Sequence, residues 1–245
     1  MNLTEQNQRE KEFHNKLHSS GKERSQNKFY KSLYQLYEDF ITVLKIETHS
    51  KNVLDYGCGV GNFAREISNF EPKKIIAIDI SEEAIKKAKN KTSSKIIDYR
   101  VENCESLSLN SETFDVVYGS GILHHLDLNK SLTEVNRVLK KNGKMIFVEP
   151  LATNPLINLY RRFTPNARSH DEHPFKFEDI KLIERIFNNV EIKYYGFFTL
   201  IFFPFYRSPK DSGLFRLLNK MDRFVLKIKY FKFLAWSVLI EAKKN

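Results

Sequence analysis

The feature that most constrains the fold of this chain is the stretch VLDYGCGVGNFA, residues 53–64. Three glycines, Gly57, Gly59 and Gly61, follow an apolar run that contains the acidic residue Asp55. Glycines directly after a buried strand let the backbone turn tightly and approach a ligand closely. The spacing is G-x-G-x-G, whereas a dinucleotide fingerprint has G-x-G-x-x-G, which weakens the prediction of NAD or FAD without excluding it. The stretch therefore predicts a nucleotide-binding loop of some kind.

Around this loop, apolar runs alternate with amphipathic stretches, which predicts a parallel sheet with helices on both faces. The runs predicted as strands are KNVLDY, KKIIAIDI, KIIDYRVEN, FDVVYGS, KMIFVEP, VEIKYYGFF and SVLIEAK. The stretches predicted as helices are NFAREISNF, SEEAIKKAKN with Ser81 as its N-cap, SLTEVNRVLKKNGK ending at Gly143, and FEDIKLIERIFNN. We therefore expect an α/β, Rossmann-like, doubly wound sheet of seven mostly parallel strands, with an N-terminal helical cap and inserted lid segments.

The chain divides into four predicted regions. Residues 1–50 form an N-terminal helical cap, in which KFYKSLYQLYEDFITVLK is one amphipathic helix, and residues 51–150 form the nucleotide-binding core. Residues 151–177 have no clear periodicity and are interpreted as a substrate loop insertion. Residues 178–245 complete the sheet and contain an amphipathic insertion, residues 198–236.

Composition narrows the class of protein. Cys58 and Cys104 lie far apart without metal-ligand spacing, so neither a zinc site nor a disulfide framework is predicted, and no metal is expected. The polar N-terminal stretch is unlike a secretory signal, and we expect a cytoplasmic protein. The net charge of +10 fits nucleic acid, an anionic membrane or an anionic substrate, or simply a lysine-rich solvated surface.

Five segments in order carry a resemblance to a known family. VLDYGCGVGNFA, IIAIDIS, VENCESL, FDVVYGSGILHHL and VLKKNGKMIFVEP have the order and spacing of motifs in class I S-adenosylmethionine (SAM)-dependent methyltransferases. The chain is most similar to the small-molecule branch, which includes quinone-biosynthesis methyltransferases. The resemblance covers roughly residues 51–150. It implies an enzyme that uses SAM and releases S-adenosylhomocysteine (SAH).

The resemblance also implies roles for individual residues. Asp79 ends the second strand, where its carboxylate would accept hydrogen bonds from the ribose hydroxyls. Asn103 replaces an aspartate that usually contacts the adenine amino group, and its carbonyl oxygen could still accept that bond. The other implied cofactor residues are Asp55, Gly57, Cys58 and Gly59 at the methionine part, Gly61 for helix packing, Ile80, Cys104 and Glu105 near the adenine, Gly119 and Ser120 at the amino group, and Tyr30 in a closing helix.

The acceptor side is predicted from residues that follow the fourth and fifth strands. His124 and His125 follow the fourth strand and are candidate catalytic residues, although such a pair is often a fold element in related families. The insertion brings further ionisable groups, including the catalytic candidate Asp171, to the same edge. His173 is our candidate general base, oriented by Asp171 or Glu172, although the same loop could be a solvated surface loop. Candidate substrate-binding residues are Tyr160, Arg161, Arg168 and Glu149. The N/D-P-P-Y/F motif of amino-group methyltransferases is absent after the fourth strand, which favours an oxygen acceptor.

Residues 198–236 are basic and amphipathic, with apolar residues at helical spacing and Arg or Lys between them. Such a segment fits peripheral membrane contact or a lid over a greasy substrate, and it also fits a cap helix packed on the protein's own core. We therefore expect transfer to a small, amphiphilic metabolite. The alternatives are an RNA or protein methyltransferase, although nucleic-acid binding is disfavoured, and an inactive SAM-binding partner protein. The methyl acceptor and the oligomeric state are not determined by the sequence.

Overall fold

The structure is a computed structural model that describes residues 3–19, 28–164, 169, 171–207 and 213–245. Its centre is a seven-stranded sheet with the strand order β3-β2-β1-β4-β5-β7-β6. The strands are β1 (Asn52–Tyr56), β2 (Lys74–Asp79), β3 (Ile97–Val101), β4 (Phe114–Ser120), β5 (Leu139–Pro150), β6 (Asn188–Tyr195) and β7 (Ser237–Lys243). β7 runs antiparallel to β5 and β6, and the other pairs are parallel. The prediction of a mostly parallel α/β sheet is confirmed.

Helices flank the sheet and build its ends. They are α1 (Glu5–Ser19), α2 (Lys28–Lys31), α3 (Tyr34–Thr48), α4 (Asn62–Ser68), α5 (Glu82–Asn90), α6 (Leu128–Val138), α7 (Pro155–Phe163), α8 (Phe177–Ile186), α9 (Phe198–Ile201) and α10 (Gly213–Val225). Short 3₁₀ helices cover Leu123–His125, Phe203–Phe205 and Lys229–Leu234. No helix in the described ranges is both long enough and apolar enough to cross a membrane.

The core lies on both faces of the sheet because successive strand residues point to opposite sides. Leu54 and Tyr56 of β1 pack in one buried cluster, while Val53 of the same strand packs in the other. The strands therefore read as continuous apolar runs, and the polar groups at their carboxyl ends are left to form a site.

The predicted boundaries hold well at α5, where the Ser81 side chain accepts a hydrogen bond from Ala84 N and caps the helix as expected. The prediction that α6 ends at Gly143 is wrong, because this helix ends at Val138. Leu139 is already extended and pairs with Phe114 of β4, so the segment before Gly143 belongs to β5. A lysine-rich run that resembles a helix end is thus the start of a strand.

The N-terminal and insertion segments differ more from prediction. The single helix expected from KFYKSLYQLYEDFITVLK is wrong, because a turn closed by a Leu33 N to Tyr30 O bond separates α2 from α3. The insertion contains α7, which was not predicted. Its N-cap is Asn154, whose side chain accepts bonds from two backbone N–H groups, and Pro155 fits the first helical position.

Candidate active site

A cavity of about 380 Å³ opens at the carboxyl edge of the sheet, where α/β proteins bind their ligands. The loops after β1, β2, β3 and β4 form its floor, and α1, α7 and the start of β7 contribute to its walls. The cofactor residues predicted from sequence that line it are Tyr30, Gly57, Cys58, Gly59, Asp79, Ile80, Asn103, Cys104 and Ser120. Asp55, Gly61, Glu105 and Gly119 lie behind this lining.

The glycine loop is a backbone cradle that Asp79 organises. Gly57, Gly59 and Gly61 have φ values of 77°, 51° and 76°, in the left-handed region that favours glycine. Gly59 N donates to Asp79 Oδ2 over 2.8 Å, and Ser81 N donates to Asp79 Oδ1 over 2.9 Å. These two bonds fix the Asp79 carboxylate at the cavity wall.

Behind the loop, Gly61 and Gly119 allow close packing. A Cβ atom on Gly61 would overlap the Tyr99 ring of β3, and one on Gly119 would lie 2.7 Å from the carbonyl oxygen of Tyr56. Asp55 is buried beside them, and burial, with a further contribution from Asp79, raises its pKa to about 7. Asp55 Oδ2 makes no hydrogen bond to any described residue.

The predicted adenine end is held by contacts within the chain. Asn103 Nδ2 donates to Asn7 Oδ1 of α1 over 3.1 Å, and its Oδ1 accepts from Glu105 N over 3.0 Å. The Asn103 oxygen therefore already has one partner, and its second lone pair is what it could offer to an adenine amino group. Glu105 accepts from Asp127 N over 2.9 Å, so it braces the start of α6.

The acceptor end contains a histidine held by a buried carboxylate. His124 Nδ1 lies 2.7 Å from Glu149 Oε2, while Glu149 Oε1 accepts from Ile122 N and Leu123 N. Glu149 is completely buried, and burial raises its pKa to about 7. Glu149 was predicted to bind substrate, but it lies behind the cavity lining, where it orients the His124 ring.

A second imidazole is held by α1. His125 Nδ1 lies 3.1 Å from Glu10 Oε2, and His14 Nε2 lies 3.5 Å from the same oxygen. Burial would raise the pKa of Glu10, but the imidazoles of His125 and His14 beside the carboxylate outweigh it and hold the pKa well below its usual range. Burial, together with the neighbouring His124, lowers the pKa of His125. The pair thus combines an ionised carboxylate with a neutral imidazole.

Asn7, Glu10, His14 and His18 were missed as site residues by the sequence analysis, and all four line the cavity. Their spacing of three, four and four positions places them on one face of α1. The polar stripe at helical spacing is the signal that could have identified these four residues. Helices are usually recognised by apolar periodicity, which does not detect such a stripe.

α1 is anchored on both sides of the cavity, so it forms a roof. Arg9 makes a two-point ion pair with Asp171 of the insertion, with distances of 2.8 and 2.9 Å. On the other side, Ser81 Oγ donates to Asn15 Oδ1 over 2.6 Å, and Lys87 donates to the carbonyl of His18. These contacts join α1 to the insertion and to α5.

The insertion brings some predicted residues to the cavity and leaves others outside. Tyr160, Arg161 and Glu172 line it, whereas Asp171 is occupied by Arg9. His173, the predicted general base, has an exposed side chain outside the cavity lining, and its backbone N–H donates to the carbonyl of His124. The pocket geometry therefore does not support that role. The predicted Arg168, and His170, lie outside the described residues.

The polar groups at the acceptor end also suit a metal ion in their chemistry. Glu10, His14 and His125 form one set with ligand atoms within 4.8 Å of one another, and His124, His125 and Glu172 form another. Imidazole and carboxylate donors are common ligands of transition metals. The expectation that the protein uses no metal therefore stays a prediction.

Comparison with known proteins agrees with this geometry. A family described as a methyltransferase domain matches residues 54–147. An uncharacterised protein of Methanocaldococcus jannaschii is 36% identical over 56% of this chain and 50% of its own length. A ubiquinone/menaquinone biosynthesis C-methyltransferase of Geobacter is 36% identical over 40% of this chain and 44% of its own. The chain thus spans about half the length of these curated relatives.

Solved structures show the same fold. A SAM-dependent methyltransferase from Archaeoglobus fulgidus superposes with a TM-score of 0.62 over 89% of this chain and 96% of that chain, at 21% identity. The matched residues 54–147 begin in β1 and end in β5, so they include the glycine loop, Asp79 and the histidine pair. Both the sequence match and the fold lead to one assignment: the chain carries a class I SAM-dependent methyltransferase domain.

Proposed function

We propose that this chain transfers the methyl group of SAM to an oxygen of a small acceptor. The observation that carries the proposal is that one cavity is lined both by the glycine loop with Asp79 and by two imidazoles, His124 and His125, each of which lies beside a carboxylate. A hydroxyl acceptor must lose a proton as it attacks, and a histidine held by a carboxylate is suited to take it.

The residues of the first three strands fit the cofactor. The backbone cradle of Gly57 and Gly59 gives room for close approach, and Asp79 offers carboxylate oxygens to ribose hydroxyls. SAM supplies an activated methyl group on a positively charged sulfur. The acceptor oxygen bonds to the methyl carbon as the carbon–sulfur bond breaks, and the electron pair of that bond stays on sulfur to give SAH. Alignment at about 3 Å supplies much of the rate enhancement in such displacements.

His125 is our proposed general base, in place of His173. Its lowered pKa keeps the imidazole neutral near pH 7. With its hydrogen on Nδ1, the ring faces Ser169 Oγ at 3.3 Å and the Glu10 carboxylate at 3.1 Å, and the negative charge of Glu10 would stabilise the cation formed later. Its remaining ring nitrogen, Nε2, is then the basic one. His124 is assigned a positioning role, because its Nδ1 is committed to the buried Glu149.

Tyr160 and Arg161 are proposed to bind the acceptor from α7. Both line the cavity, and Arg161 Nη1 is already fixed by the carbonyl of Leu151 over 2.8 Å. A guanidinium has a planar arrangement of N–H donors, which suits an anionic or hydroxylated acceptor. The cofactor and the reacting group of the acceptor would share this cavity.

Carbon methylation is the second candidate, because the Geobacter relative is named a C-methyltransferase. A base near the acceptor would also serve that reaction when the nucleophilic carbon is activated by ionisation of a hydroxyl on the same molecule. The bond formed distinguishes the two candidates, and the experiment below reads it directly.

The test is transfer of an isotopically labelled methyl group from SAM to an extract of the source cells. The products are separated and the labelled carbon is examined by NMR, which distinguishes methyl groups on oxygen, nitrogen and carbon. Label on oxygen supports the proposal, and label on carbon replaces it with the second candidate. SAH binding without any labelled product contradicts both and favours an inactive SAM-binding protein.

Once the acceptor is known, His125→Asn and His173→Asn form a matched pair. We expect His125→Asn to lose roughly a hundredfold or more in turnover, since a positioned base contributes about 10²–10⁴-fold. His173→Asn should stay within about threefold of wild type. SAH affinity, measured by calorimetry, should be unchanged in both variants. An equal loss in the two variants would contradict the assignment of the base.

A further inference from the structure

Exposed hydrophobic side chains are concentrated in one part of this protein. Fourteen of the fifteen large hydrophobic residues exposed in the described ranges fall between residues 156 and 233. They are Leu156, Leu159, Phe163, Ile201, Phe202, Phe205, Leu214, Leu217, Met221, Phe224, Ile228, Tyr230, Phe231 and Phe233, and the fifteenth is Ile46 on α3. Scattered exposed apolar residues are ordinary, but such a concentration marks an interaction site.

α10 carries three distinct stripes at helical spacing. Phe215, Leu218 and Asp222 are buried and fix the helix to the protein. A second stripe, Leu214, Leu217, Met221 and Phe224, is apolar and exposed, and Phe224 is 74% exposed. A third stripe, Arg216, Lys220 and Arg223, is basic and exposed, and the exposed Lys227 follows the end of the helix. With roughly 100° between successive residues, the basic stripe lies directly beside the exposed apolar one.

Of the interpretations left open for this segment, a cap helix with all its apolar residues in the core does not describe α10, because this stripe is exposed. The helix already has its own buried face, which includes Asp222. The Asp222 carboxylate accepts from Phe198 N over 2.7 Å and from Thr199 Oγ1 over 2.8 Å, and so joins α10 to α9. The exposed apolar stripe is additional to this packing, and no described element covers it.

The other exposed residues belong to elements tied to the same region. On α7, Leu156, Leu159 and Phe163 are exposed on one side while Ile157 and Tyr160 line the cavity on the other. The α7 cap residue Asn154 donates to the carbonyl of Leu234, which ends the 3₁₀ helix that presents the exposed Tyr230, Phe231 and Phe233. α7 thus links the cavity wall to the apolar surface.

The charge of residues 213–234 indicates which kind of partner would cover the exposed apolar residues. Between residues 213 and 234 there are six basic residues, Arg216, Lys220, Arg223, Lys227, Lys229 and Lys232, and one acidic residue, Asp222, which is buried. Exposed Leu and Phe beside Arg and Lys are typical of helices that lie in the membrane interface, where the apolar face enters the acyl boundary and the cations meet anionic headgroups.

We propose that α7, α9, α10 and the two flanking 3₁₀ helices, Phe203–Phe205 and Lys229–Leu234, form a surface that docks on anionic phospholipid membranes. The apolar stripe supplies buried area and the adjacent basic stripe supplies attraction to the headgroups. Docking is independent of methyl transfer, so it is tested without an acceptor. It also explains why the wall of the cavity and the lipid-facing surface share one helix, since an amphiphilic acceptor would enter along α7.

The test is co-sedimentation of the purified chain with vesicles of phosphatidylcholine alone and of phosphatidylcholine mixed with phosphatidylglycerol. We expect binding to the anionic vesicles to exceed binding to the neutral ones by at least tenfold and to fall as salt is raised, because headgroup attraction is screened. The double variant Leu217→Ser/Phe224→Ser should bind at least tenfold more weakly. Ile46→Ser, which removes an exposed hydrophobic residue elsewhere, should bind as the wild type does.

A matched charge pair completes the design: Lys220→Gln/Lys227→Gln should weaken anionic binding, whereas Lys141→Gln, on the exposed start of β5, should not. SAH affinity is measured for every variant and should stay at the wild-type value, which shows that each one is folded. Absence of binding to anionic vesicles at low salt overturns the proposal. Equal binding by Leu217→Ser/Phe224→Ser and Ile46→Ser also overturns it. So does a concentration-dependent dimer that Phe224→Ser abolishes, because the surface would then bind a second copy.

Discussion

At the scale of single residues, the contacts of Asp79 lead to a prediction about cofactor affinity. Its two carboxylate oxygens hold Gly59 N and Ser81 N and lie at the cavity wall. Asp79→Asn removes the charge and replaces one acceptor by a donor. Since a hydrogen bond to a charged group contributes about 1.5–3 kcal/mol, SAH should bind roughly 10–100-fold more weakly by calorimetry. Asp98→Asn, which changes a partly exposed carboxylate on β3, should leave SAH affinity unchanged, and equal losses in the two variants would count against this role.

Asp55 gives a prediction about pH. Burial raises its pKa from the ordinary 3.8 to about 7, so the folded protein binds this proton more tightly than the unfolded chain does. Stability from this group is present below pH 4 and is lost as the pH rises toward 7. A single such group changes the free energy of unfolding by up to about 1.4 kcal/mol per pH unit inside that window.

Asp55→Asn should remove this loss because the amide cannot ionise. We expect the gain relative to wild type to rise from about 1–2 kcal/mol at pH 5 to at most about 4 kcal/mol above pH 7, measured by urea unfolding at each pH. Glu149, whose pKa burial also raises to about 7, leaves a residual slope in both proteins. Asp98→Asn is the control: the hydrogen bond with Arg100 lowers the pKa of Asp98, so that group does not titrate in this range. Parallel curves for Asp55→Asn and wild type would refute the prediction.

At the scale of secondary-structure elements, we expect α1 to control access to the cavity. The variant Arg9→Ala/Asn15→Ala removes the ion pair with the insertion and the hydrogen bond with Ser81, and it leaves the contacts of Lys11 with Glu82 and of Lys87 with the His18 carbonyl. We expect SAH to dissociate roughly tenfold faster, with a smaller change in association, because affinity differences between related complexes lie mostly in dissociation. Stopped-flow displacement measures both rates. Lys16→Ala, at an exposed position of the same helix, should behave as wild type; if it does not, helix propensity and not anchoring sets the rate.

α10 is attached through the apolar contacts of Phe215 and Leu218 and through one buried carboxylate. Asp222 accepts from the backbone of Phe198 and from the backbone and hydroxyl of Thr199. Asp222→Ala leaves these donors buried without a partner, which costs about 1–3 kcal/mol for each group left unsatisfied, so we expect a loss of about 3 kcal/mol in the free energy of unfolding. Arg223→Ala, at the exposed neighbouring position, should change it by less than about 0.5 kcal/mol. Similar values for the two variants would show that α10 is attached by its apolar contacts instead.

At the scale of the whole molecule, the elements found by sequence analysis are those with strong apolar patterns. β1, β2, β4 and β7 are buried runs, and the Ser81 cap announced α5. α1 was not predicted as a separate helix because polar contacts, such as that of Asn15 with Ser81, hold it in place. α7 was not predicted because several of its apolar residues face outward. The start of β5 was misassigned because its pairing with Phe114 involves residues distant in sequence.

The residues of the candidate site also fall into a predictable and an unpredictable group. The glycine loop and Asp79 were predictable because they are local in sequence and have a shared physical reason. The roles at the acceptor end were not, because they depend on contacts between distant segments: Glu10 with His125, Arg9 with Asp171, and the exposed position of His173. No pattern within residues 151–177 indicates that Asp171 pairs with Arg9 of α1.

The roof that α1 forms has a consequence for the order of events. Arg9, Asn15 and His18 hold this helix across one side of the cavity. If SAM and SAH pass on that side, opening of α1 is a step of every cycle whatever the acceptor, and its rate sets a ceiling on turnover. If closure outlasts the chemical step, a captured SAM molecule is consumed before it can escape. The protein would then show a high commitment to catalysis, and different acceptors would be methylated at nearly the same maximal rate.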